Sequence, residues 1–233
     1  MRAGEEHAMT LKQHAPHAKK RVVPSRAAQI VPYVKGPWVL DVGCVGHVPE
    51  PHSPSWLHGV LRNRFPHVVG IDIEETHVRK LQALGYQDIH LQSAENFSLP
   101  QKFNTIVAGE LIEHLASPGL FLERVKAHLA PGGSAIITTP YPFSLLYALY
   151  AFMKFPRTCQ NLEHTCWFCP RTLEALAQRI GLRTAQWKLI EDYRFDVPDL
   201  PYRAFVKSIA AFRWVIPKRL RCNTMLFILE AAS

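Results

Sequence analysis

The chain has 233 residues, of which 48% are hydrophobic and 20% are charged. This ordinary globular composition excludes disorder of the whole chain, and the length favours one α/β or all-β domain with additional segments. The formal charge of +8 at pH 7 points to anionic partners such as nucleic acid, a membrane surface or an acidic substrate.

Short apolar runs that end in glycine or an acid predict strands of a buried parallel sheet, and the amphipathic stretches between them predict helices. The predicted strands are 38–42, 68–72, 88–92, 105–108, 134–139, 183–190 and 224–230, and the predicted helices are 56–64, 74–84, 118–129 and 171–180. Residues 131–133 (Pro-Gly-Gly) are expected to end the third helix. Because strands alternate with helices, the sequence predicts an α/β fold with a doubly wound, mostly parallel seven-stranded sheet.

Three segments stand outside this alternation. Residues 1–30 are basic and predict a flexible leader, which leaves residues 31–233 as the folded domain. Residues 141–169 are rich in proline and aromatic side chains, and residues 192–222 separate the last two strands. We expect both to be lid insertions that cover part of the carboxyl edge or rim of the sheet.

The cysteines and the apolar runs indicate the cellular compartment in which the protein is expected. Five cysteines without a secretory signal predict reduced thiols in the cytosol. No apolar run reaches 18 residues, so no transmembrane helix is expected. Residues 143–155 and 201–222 nevertheless combine aromatic side chains with cations, as at anionic membrane surfaces. We therefore expect a cytoplasmic protein in which these segments form either a packed lid or a peripheral membrane contact.

Glycines and acids follow the predicted strands at the edge where doubly wound sheets bind ligands. Asp41 lies in the first strand, two glycines lie within residues 43–46, and Asp72 ends the second strand. Glycine lets the backbone approach a ligand closely, and a carboxylate in the place of Asp72 can accept both hydroxyls of a ribose. This arrangement suits a ribose-containing ligand.

Five sequence blocks in the same order and spacing resemble the class I S-adenosylmethionine-dependent methyltransferases. They lie at 40–44 (Leu-Asp-Val-Gly-Cys), 70–72 (Gly-Ile-Asp), 93–95 (Ser-Ala-Glu), 108–114 (Ala-Gly-Glu-Leu-Ile-Glu-His) and 129–133 (Leu-Ala-Pro-Gly-Gly). The resemblance covers roughly residues 36–190 and implies a Rossmann-like methyltransferase fold with S-adenosylmethionine as cofactor. It also implies cofactor contacts at Asp41, Gly43, Cys44, Gly46, Asp72, Ile73, Ala94, Glu95 and Gly109.

The glycine turn departs from the family pattern. The family usually has Asp-x-Gly-x-Gly-x-Gly, whereas Val45 and His47 take the second and third glycine places here. A side chain at Val45 is expected to restrict the backbone and crowd the pocket, while Gly46 restores room one residue later. A non-catalytic, cofactor-binding regulatory protein is therefore one alternative to an enzyme.

Glu110 is implied by the resemblance to lie beside the methyl-transfer cavity, and it opens an acidic motif. Glu110, Glu113 and His114 are spaced so that they would share one face of a helix. Two carboxylates and an imidazole could bind Mg²⁺ or Mn²⁺. The same pattern is similar to that of ubiquinone-biosynthesis O-methyltransferases, in which a metal role is attributed to it. We favour the alternative that Glu113 and His114 fix the loop by hydrogen bonds, so a divalent metal is not an expected cofactor.

His164 is the second candidate catalytic residue, beside Glu110. It lies in the insertion expected over the acceptor, and an imidazole can take a proton from a hydroxyl as a methyl group arrives. His164 and Phe168 match a His-x-x-x-Phe stretch that sugar and natural-product O-methyltransferases often carry. The alternative is a histidine that orders the insertion through its hydrogen bonds.

These patterns favour O-methylation of a small-molecule, sugar or lipid-linked hydroxyl. A nucleic-acid methyltransferase is the alternative that the basic charge suggests. Amino methylation of bases usually needs an Asn/Asp-Pro-Pro-Tyr/Phe segment after the fourth strand, and residues 108–111 are Ala-Gly-Glu-Leu. We therefore expect no specific nucleic-acid partner.

Overall fold

The computed structural model describes residues 24–46, 53, 55–153, 163–193 and 200–232. The strands are β1 (Trp38–Val42), β2 (His67–Asp72), β3 (Ile89–Leu91), β4 (Phe103–Gly109), β5 (Leu129–Pro140), β6 (Leu182–Ile190) and β7 (Thr224–Ala231). The α-helices are α1 (Arg26–Ile30), α2 (Leu57–Arg62), α3 (Glu75–Ala83), α4 (Pro118–His128), α5 (Leu145–Met153), α6 (Pro170–Ile180), α7 (Leu200–Ala211) and α8 (Lys218–Arg221). Short 3₁₀ helices lie at Val31–Tyr33 and Ile112–His114.

One seven-stranded sheet organises the described part of the chain. Its strand order is β3-β2-β1-β4-β5-β7-β6. β1 pairs in parallel with both β2 and β4, whereas β7 runs antiparallel to both of its neighbours, β5 and β6. This confirms the predicted doubly wound, mostly parallel sheet. The strand order reverses between β1 and β4, which puts a ligand-binding crevice at the carboxyl ends of these strands.

Helices cover both faces of the sheet because successive side chains of a strand point to opposite sides. Val39 of β1 belongs to a buried cluster with Ile30 of α1 and Leu61 of α2. Leu40, the next residue, belongs to a second cluster that includes Phe121 of α4 and residues of α6. The strands are therefore apolar on both faces, which explains the nearly continuous apolar runs in their sequence.

The turn between α4 and β5 differs from the sequence-based expectation. The helix ends at His128, and residues 131–133 lie inside β5 instead of in a separating loop. Leu129 already aligns with Phe103 of β4, and the register shifts before Ser134 aligns with Thr105. Gly132 has a φ of 71°, which glycine adopts without strain, so the strand accommodates the extra residues as a bulge-like irregularity.

The carboxyl end of the predicted flexible leader, residues 26–30, forms helix α1, so this part of the prediction is wrong. The side chain of Ser25 accepts a hydrogen bond from the backbone N–H of Ala28 and so caps the helix. Ala27 and Ile30 are buried. Because the apolar side of α1 packs on the sheet, residues 26–30 belong to the folded domain. Residues 1–23 of the predicted leader lie outside the described residues.

The two predicted insertions pack against each other. Leu146 of α5 forms a buried cluster with Tyr193, Val206 and Ile209, the last two of which lie on α7. We call this assembly of α5, α7 and α8 the lid. Residues 154–162 and 194–199, which also belong to these insertions, lie outside the described residues. Among the helices that are described, none has the length and apolar character needed to cross a membrane.

Candidate active site

The glycine turn after β1 is held open at the carboxyl edge of the sheet. The backbone N–H groups of Gly43 and Cys44 donate to the carbonyl oxygen of Ile71, at 2.9 and 3.2 Å. Gly43 and Gly46 have φ values of 75° and 64°. A Cβ at Gly46 would meet no atom of the described residues within 4 Å, so among them this side of the turn is an open cradle that a ligand can approach.

Asp72 joins this turn to the start of α3. Its Oδ2 accepts the backbone N–H of Val45 at 2.9 Å, and its Oδ1 accepts that of Glu74 at 3.0 Å. Each carboxylate oxygen retains a second lone pair, so a partly exposed Asp72 can still accept hydroxyl groups. Ile73 follows directly and is 71% exposed. The Asp72 carboxylate can accept the hydroxyl groups of a ribose, and the exposed Ile73 side chain can pack against the base attached to it.

Val45 does not crowd the pocket as the sequence had suggested. Its side chain is buried in a cluster with Trp56, Val78 and Leu81. The indole N–H of Trp56 donates to the carbonyl oxygen of Cys44 at 2.8 Å and so pins the turn to this cluster. The isopropyl group therefore packs into the core. His47, the other departure from the family pattern, lies outside the described residues.

A buried acid–imidazole pair supports the turn from beneath. Asp41 Oδ2 and His58 Nδ1 are 3.2 Å apart, and both side chains are buried. Burial raises the pKa of Asp41, although the hydrogen bond from His58 opposes this. A Cβ at Gly70 would lie 2.6 Å from Cys44 Sγ and 2.8 Å from His58 Cε1, so only glycine leaves room for this layer. No spacing in the sequence marks His58 as part of it.

Two of the predicted cofactor contacts, Ala94 and Glu95, follow β3. Ala94 is buried, and the carboxylate of Glu95 accepts the backbone N–H of Ser117, at the start of α4. Glu95 therefore helps to cap that helix. Gly109 ends β4, where a Cβ would lie 3.4 Å from Leu57. The structure thus brings the predicted cofactor residues to one edge, with Asp41 and Cys44 buried below the turn.

Glu110 has a strained backbone at the end of β4. Its φ is 55°, a left-handed conformation that costs free energy for a residue with a Cβ. Its N–H donates to the carbonyl oxygen and to Oγ1 of Thr138, at 2.9 and 3.1 Å, which holds this conformation in place. Its Oε1 is buried and accepts no hydrogen bond from the described part of the chain. A carboxylate oxygen in that state is ready to accept a hydrogen bond from a ligand.

Arg26 connects α1 to this site and was missed by the sequence analysis. Its guanidinium lies 3.7 Å from Glu110 Oε1 and 3.5 Å from Asp192 Oδ2. The residue falls in the segment predicted to be a leader, so it was not considered. The helix-capping Ser25 followed by apolar residues at Ala27 and Ile30 was the signal that could have found it.

Glu113 anchors the insertion to the turn after β4. Thr139 Oγ1 donates to its Oε2 at 3.0 Å, and its backbone carbonyl accepts the N–H of Thr165 at 2.8 Å. Its other carboxylate oxygen is buried and has no hydrogen-bond partner within the described ranges. Burial raises the pKa of Glu113 to about 7. These contacts favour the structural role that the sequence analysis preferred for this residue.

His164 is thereby brought next to His114. The two rings are perpendicular, with centroids 4.6 Å apart, and His164 also lies 5.8 Å from the ring of Trp167. Its Nδ1 is buried and makes no hydrogen bond with any residue that the structure describes. Burial and the nearby His114 lower the pKa of His164, so its imidazole is mainly neutral at pH 7. A neutral imidazole with an unused nitrogen can accept a proton.

The residues that could bind a metal ion differ from the three candidates predicted from the sequence. Potential ligand atoms of Glu113, His114 and His164 all lie within 4.8 Å of one another, and Glu110 is not part of this group. Glu110 is in the left-handed region and precedes the 3₁₀ helix, so it does not share a helical face with the other two. The expectation that no metal is required stays a prediction.

Comparisons with known proteins agree with this geometry. A family model described as "Methyltransferase domain" matches residues 14–186. The ubiquinone biosynthesis O-methyltransferase of Paraburkholderia phytofirmans is 27% identical over 175 residues, which cover 67% of this chain and 68% of that protein. The tRNA U34 carboxymethyltransferase of Pseudoalteromonas translucida is 26% identical over 171 residues, 69% of this chain and 50% of that protein.

The fold is also similar to that of solved structures. The S-adenosylmethionine-dependent methyltransferase of Archaeoglobus fulgidus superimposes with a TM-score of 0.60 at 17% sequence identity. The match covers 88% of this chain and 90% of the other. At this identity the similarity concerns the fold.

Proposed function

The chain belongs to the class I S-adenosylmethionine-dependent methyltransferases, and from this premise we propose that it methylates a hydroxyl group. The acceptor would be a small molecule, a sugar or a lipid-linked compound. The observation that carries the proposal is His164, a half-buried and mainly neutral imidazole whose neighbour Thr165 is hydrogen-bonded to Glu113.

The open turn and the residues beside it fit the cofactor. Bound S-adenosylmethionine supplies an electrophilic methyl group on its sulfonium centre. We expect Asp72 to accept the ribose hydroxyls, and Ile73 and Ala94 to contact the adenine. The backbone of Gly43 and Gly46 would approach the methionine moiety. The exposed Ile73 and the open side of the turn at Gly46 support this assignment.

The acceptor-side residues would position and deprotonate the hydroxyl. His164 would take the proton while the acceptor oxygen bonds to the methyl carbon, and the bond from that carbon to sulfur would break to release the demethylated cofactor. Glu110 would accept a hydrogen bond from a second polar group of the acceptor through its Oε1, which faces Arg26 in an ion pair but accepts no hydrogen bond from the described residues. Correct orientation alone can supply about 7–11 kcal/mol of a barrier. The ion pair of Glu110 with Arg26 would keep this carboxylate in place.

The acceptor class is tested by transferring a labelled methyl group from S-adenosylmethionine to components of a cell extract. We expect the label in the small-molecule or lipid fraction, because a hydroxyl acceptor needs the base at His164. A chelator should leave the incorporation unchanged. Label only in RNA would contradict the proposal and favour the nucleic-acid alternative, which the tRNA-modifying relative also suggests.

A lipid-linked acceptor is favoured by the outer surface of the lid. Phe152 of α5 is 86% exposed, and Trp214, after α7, is 81% exposed. Phe212 is exposed as well, and Lys218 and Arg219 follow in sequence. Exposed aromatic residues combined with cations bind anionic membrane interfaces. We therefore propose that this surface contacts an anionic membrane.

Vesicle flotation tests this contact. Replacing Phe212 and Trp214 together by Ser is expected to reduce binding to anionic vesicles by about tenfold or more, since each buried aromatic side chain contributes roughly 1.5–3 kcal/mol. The control replaces Leu84 and Leu120, two exposed leucines outside the lid, by Ser. Equal loss in both variants, or no loss in the first, would argue for a lid without membrane contact.

A further inference from the structure

A cavity of about 240 Å³ lies beside the end of β6. Four cationic side chains and one carboxylate contribute to its wall: Lys188, Arg213, Lys218, Arg221 and Glu191. The wall therefore carries an excess of positive charge. A concave surface lined by charges of one sign concentrates ligands of the opposite sign. The cavity is below the roughly 300–1,000 Å³ of pockets that enclose whole drug-sized ligands, so it suits one charged group of a larger molecule.

The two arginines of the wall are fixed in position. Glu191 Oε1 accepts hydrogen bonds from Arg221 at 2.8 Å and from Arg213 at 3.3 Å. Arg221 also donates to the backbone carbonyls of Arg213 and Ile216, both at 3.0 Å. A charged wall held by this many hydrogen bonds is preorganised, so little ordering is needed when a ligand binds.

The two lysines of the wall supply charge that no carboxylate neutralises. Within the described ranges, neither Lys188 nor Lys218 has a carboxylate at ion-pair distance. The ammonium group of Lys188 lies 4.5 Å from the centroid of the Tyr33 ring, which orients it without cancelling its charge. Both ammonium groups can therefore pair with an anion.

The second carboxylate oxygen of Glu191 limits which anions fit the cavity. Glu191 is buried, and no hydrogen-bond donor of the described residues reaches its Oε2. This oxygen needs a donor, which neither sulfate nor a carboxylate can offer at neutral pH. A phosphate monoester has a second pKa near 6 and retains part of its proton, and a hydroxyl on the adjoining carbon is also a donor. The wall thus matches a phosphate group next to a hydroxyl.

The cavity is connected to the catalytic edge through α1. Gln29 lines the cavity and donates to the backbone carbonyl of Glu191 at 2.9 Å. Arg26, three residues earlier on the same helix, pairs with Glu110 and with Asp192. One short helix therefore touches both the cavity and the carboxylate expected beside the acceptor.

We propose that this cavity binds a phosphate group, with a neighbouring hydroxyl, that is part of the methyl acceptor. The acceptor class would then be a phosphorylated polyol or sugar, either free or as the head group of a lipid. This inference rests on the proposed hydroxyl methylation, because it assigns the cavity to the acceptor of that reaction.

Calorimetry on the full chain tests the cavity independently of methyl transfer. Glycerol 3-phosphate is the probe, and we expect it to bind at least tenfold more tightly than sulfate or acetate. Replacing Lys188 and Lys218 together by Met should raise its Kd about tenfold or more, since hydrogen bonds to charged groups are lost. The matched control, Lys80→Met with Lys207→Met, removes the same charge from exposed positions outside the wall. Equal affinity for sulfate, or equal weakening in the control, would overturn the proposal.

The link to the acceptor has its own measurement. In the labelled-methyl assay, the Lys188 and Lys218 variant should need about tenfold more extract for half-maximal labelling at an unchanged maximum rate. Unchanged half-saturation would overturn the acceptor role. Saturation by the aqueous fraction identifies a free phosphate ester, and saturation by the lipid fraction identifies a head group. If no fraction is labelled by any variant, the proposed methylation fails, whereas the calorimetry still decides whether the cavity binds phosphate.

Discussion

Replacement of Asp72 by Asn is expected to weaken S-adenosylmethionine binding by about 100-fold. The carboxylate would accept two ribose hydroxyls, and each hydrogen bond to a charged group contributes roughly 1.5–3 kcal/mol. The same side chain accepts the N–H groups of Val45 and Glu74, so its loss also loosens the glycine turn. Calorimetric titration with S-adenosylmethionine and with its demethylated product measures the change.

The matched control for this variant is Asp88→Asn. Asp88 is exposed and directly precedes Ile89 of β3, the residue that pairs with Gly70 of β2. The Asp88→Asn variant removes the same charge, and we expect its affinity for the cofactor to be unchanged. Thermal unfolding separates loss of binding from loss of fold, because the turn contacts of Asp72 contribute about 1 kcal/mol each. Unchanged affinity in the Asp72 variant would contradict its assignment to the ribose.

Replacement of His164 by Ala is expected to lower the maximum rate of methyl transfer by 10²–10⁴-fold, the usual contribution of a general base. Cofactor affinity should stay unchanged, since the proposed role of His164 concerns the acceptor and the cofactor contact is assigned to Asp72. The measurement is the initial rate of label incorporation at saturating S-adenosylmethionine. Added imidazole should restore part of the rate if the missing group is a base.

A structural role for His164 would give a different result. If the ring only orders the insertion, the alanine variant would lose thermal stability, and imidazole would not restore its rate. The control is His67→Ala, which removes an exposed histidine stacked on Trp38 at the amino end of β2. That variant should retain full activity. An unchanged rate in the His164 variant would remove this residue from the mechanism.

Much of the fold could be predicted because its signals are local. The apolar run at β1 and the acid that ends β2 identify the strands and the edge at which they stop. The open side of Gly46 agrees with the predicted approach of a ligand. The bulge-like start of β5 could not be predicted, because a Pro-Gly-Gly segment usually ends an element, and only pairing with Phe103 makes it part of the strand.

The direction of individual side chains could not be predicted. Val45 was expected to crowd the pocket, yet it packs in a cluster that forms only when Trp56 and α3 fold over the turn. Glu110 was expected to share a helical face with Glu113, but its left-handed backbone directs it towards Arg26. Both outcomes depend on neighbours that are distant in sequence.

The sequence by itself determined the class of fold, the cofactor turn and the acid at Asp72, because periodicity and turn chemistry act between residues close in the chain. Only the tertiary structure decided which acids acquire partners. It paired Arg26 with Glu110, set His58 under Asp41 and brought His164 to Glu113 and His114. The basic cavity at the end of β6 arises in the same way, since its cations come from separate elements. Such contacts form only when strands far apart in the sequence become neighbours in one sheet.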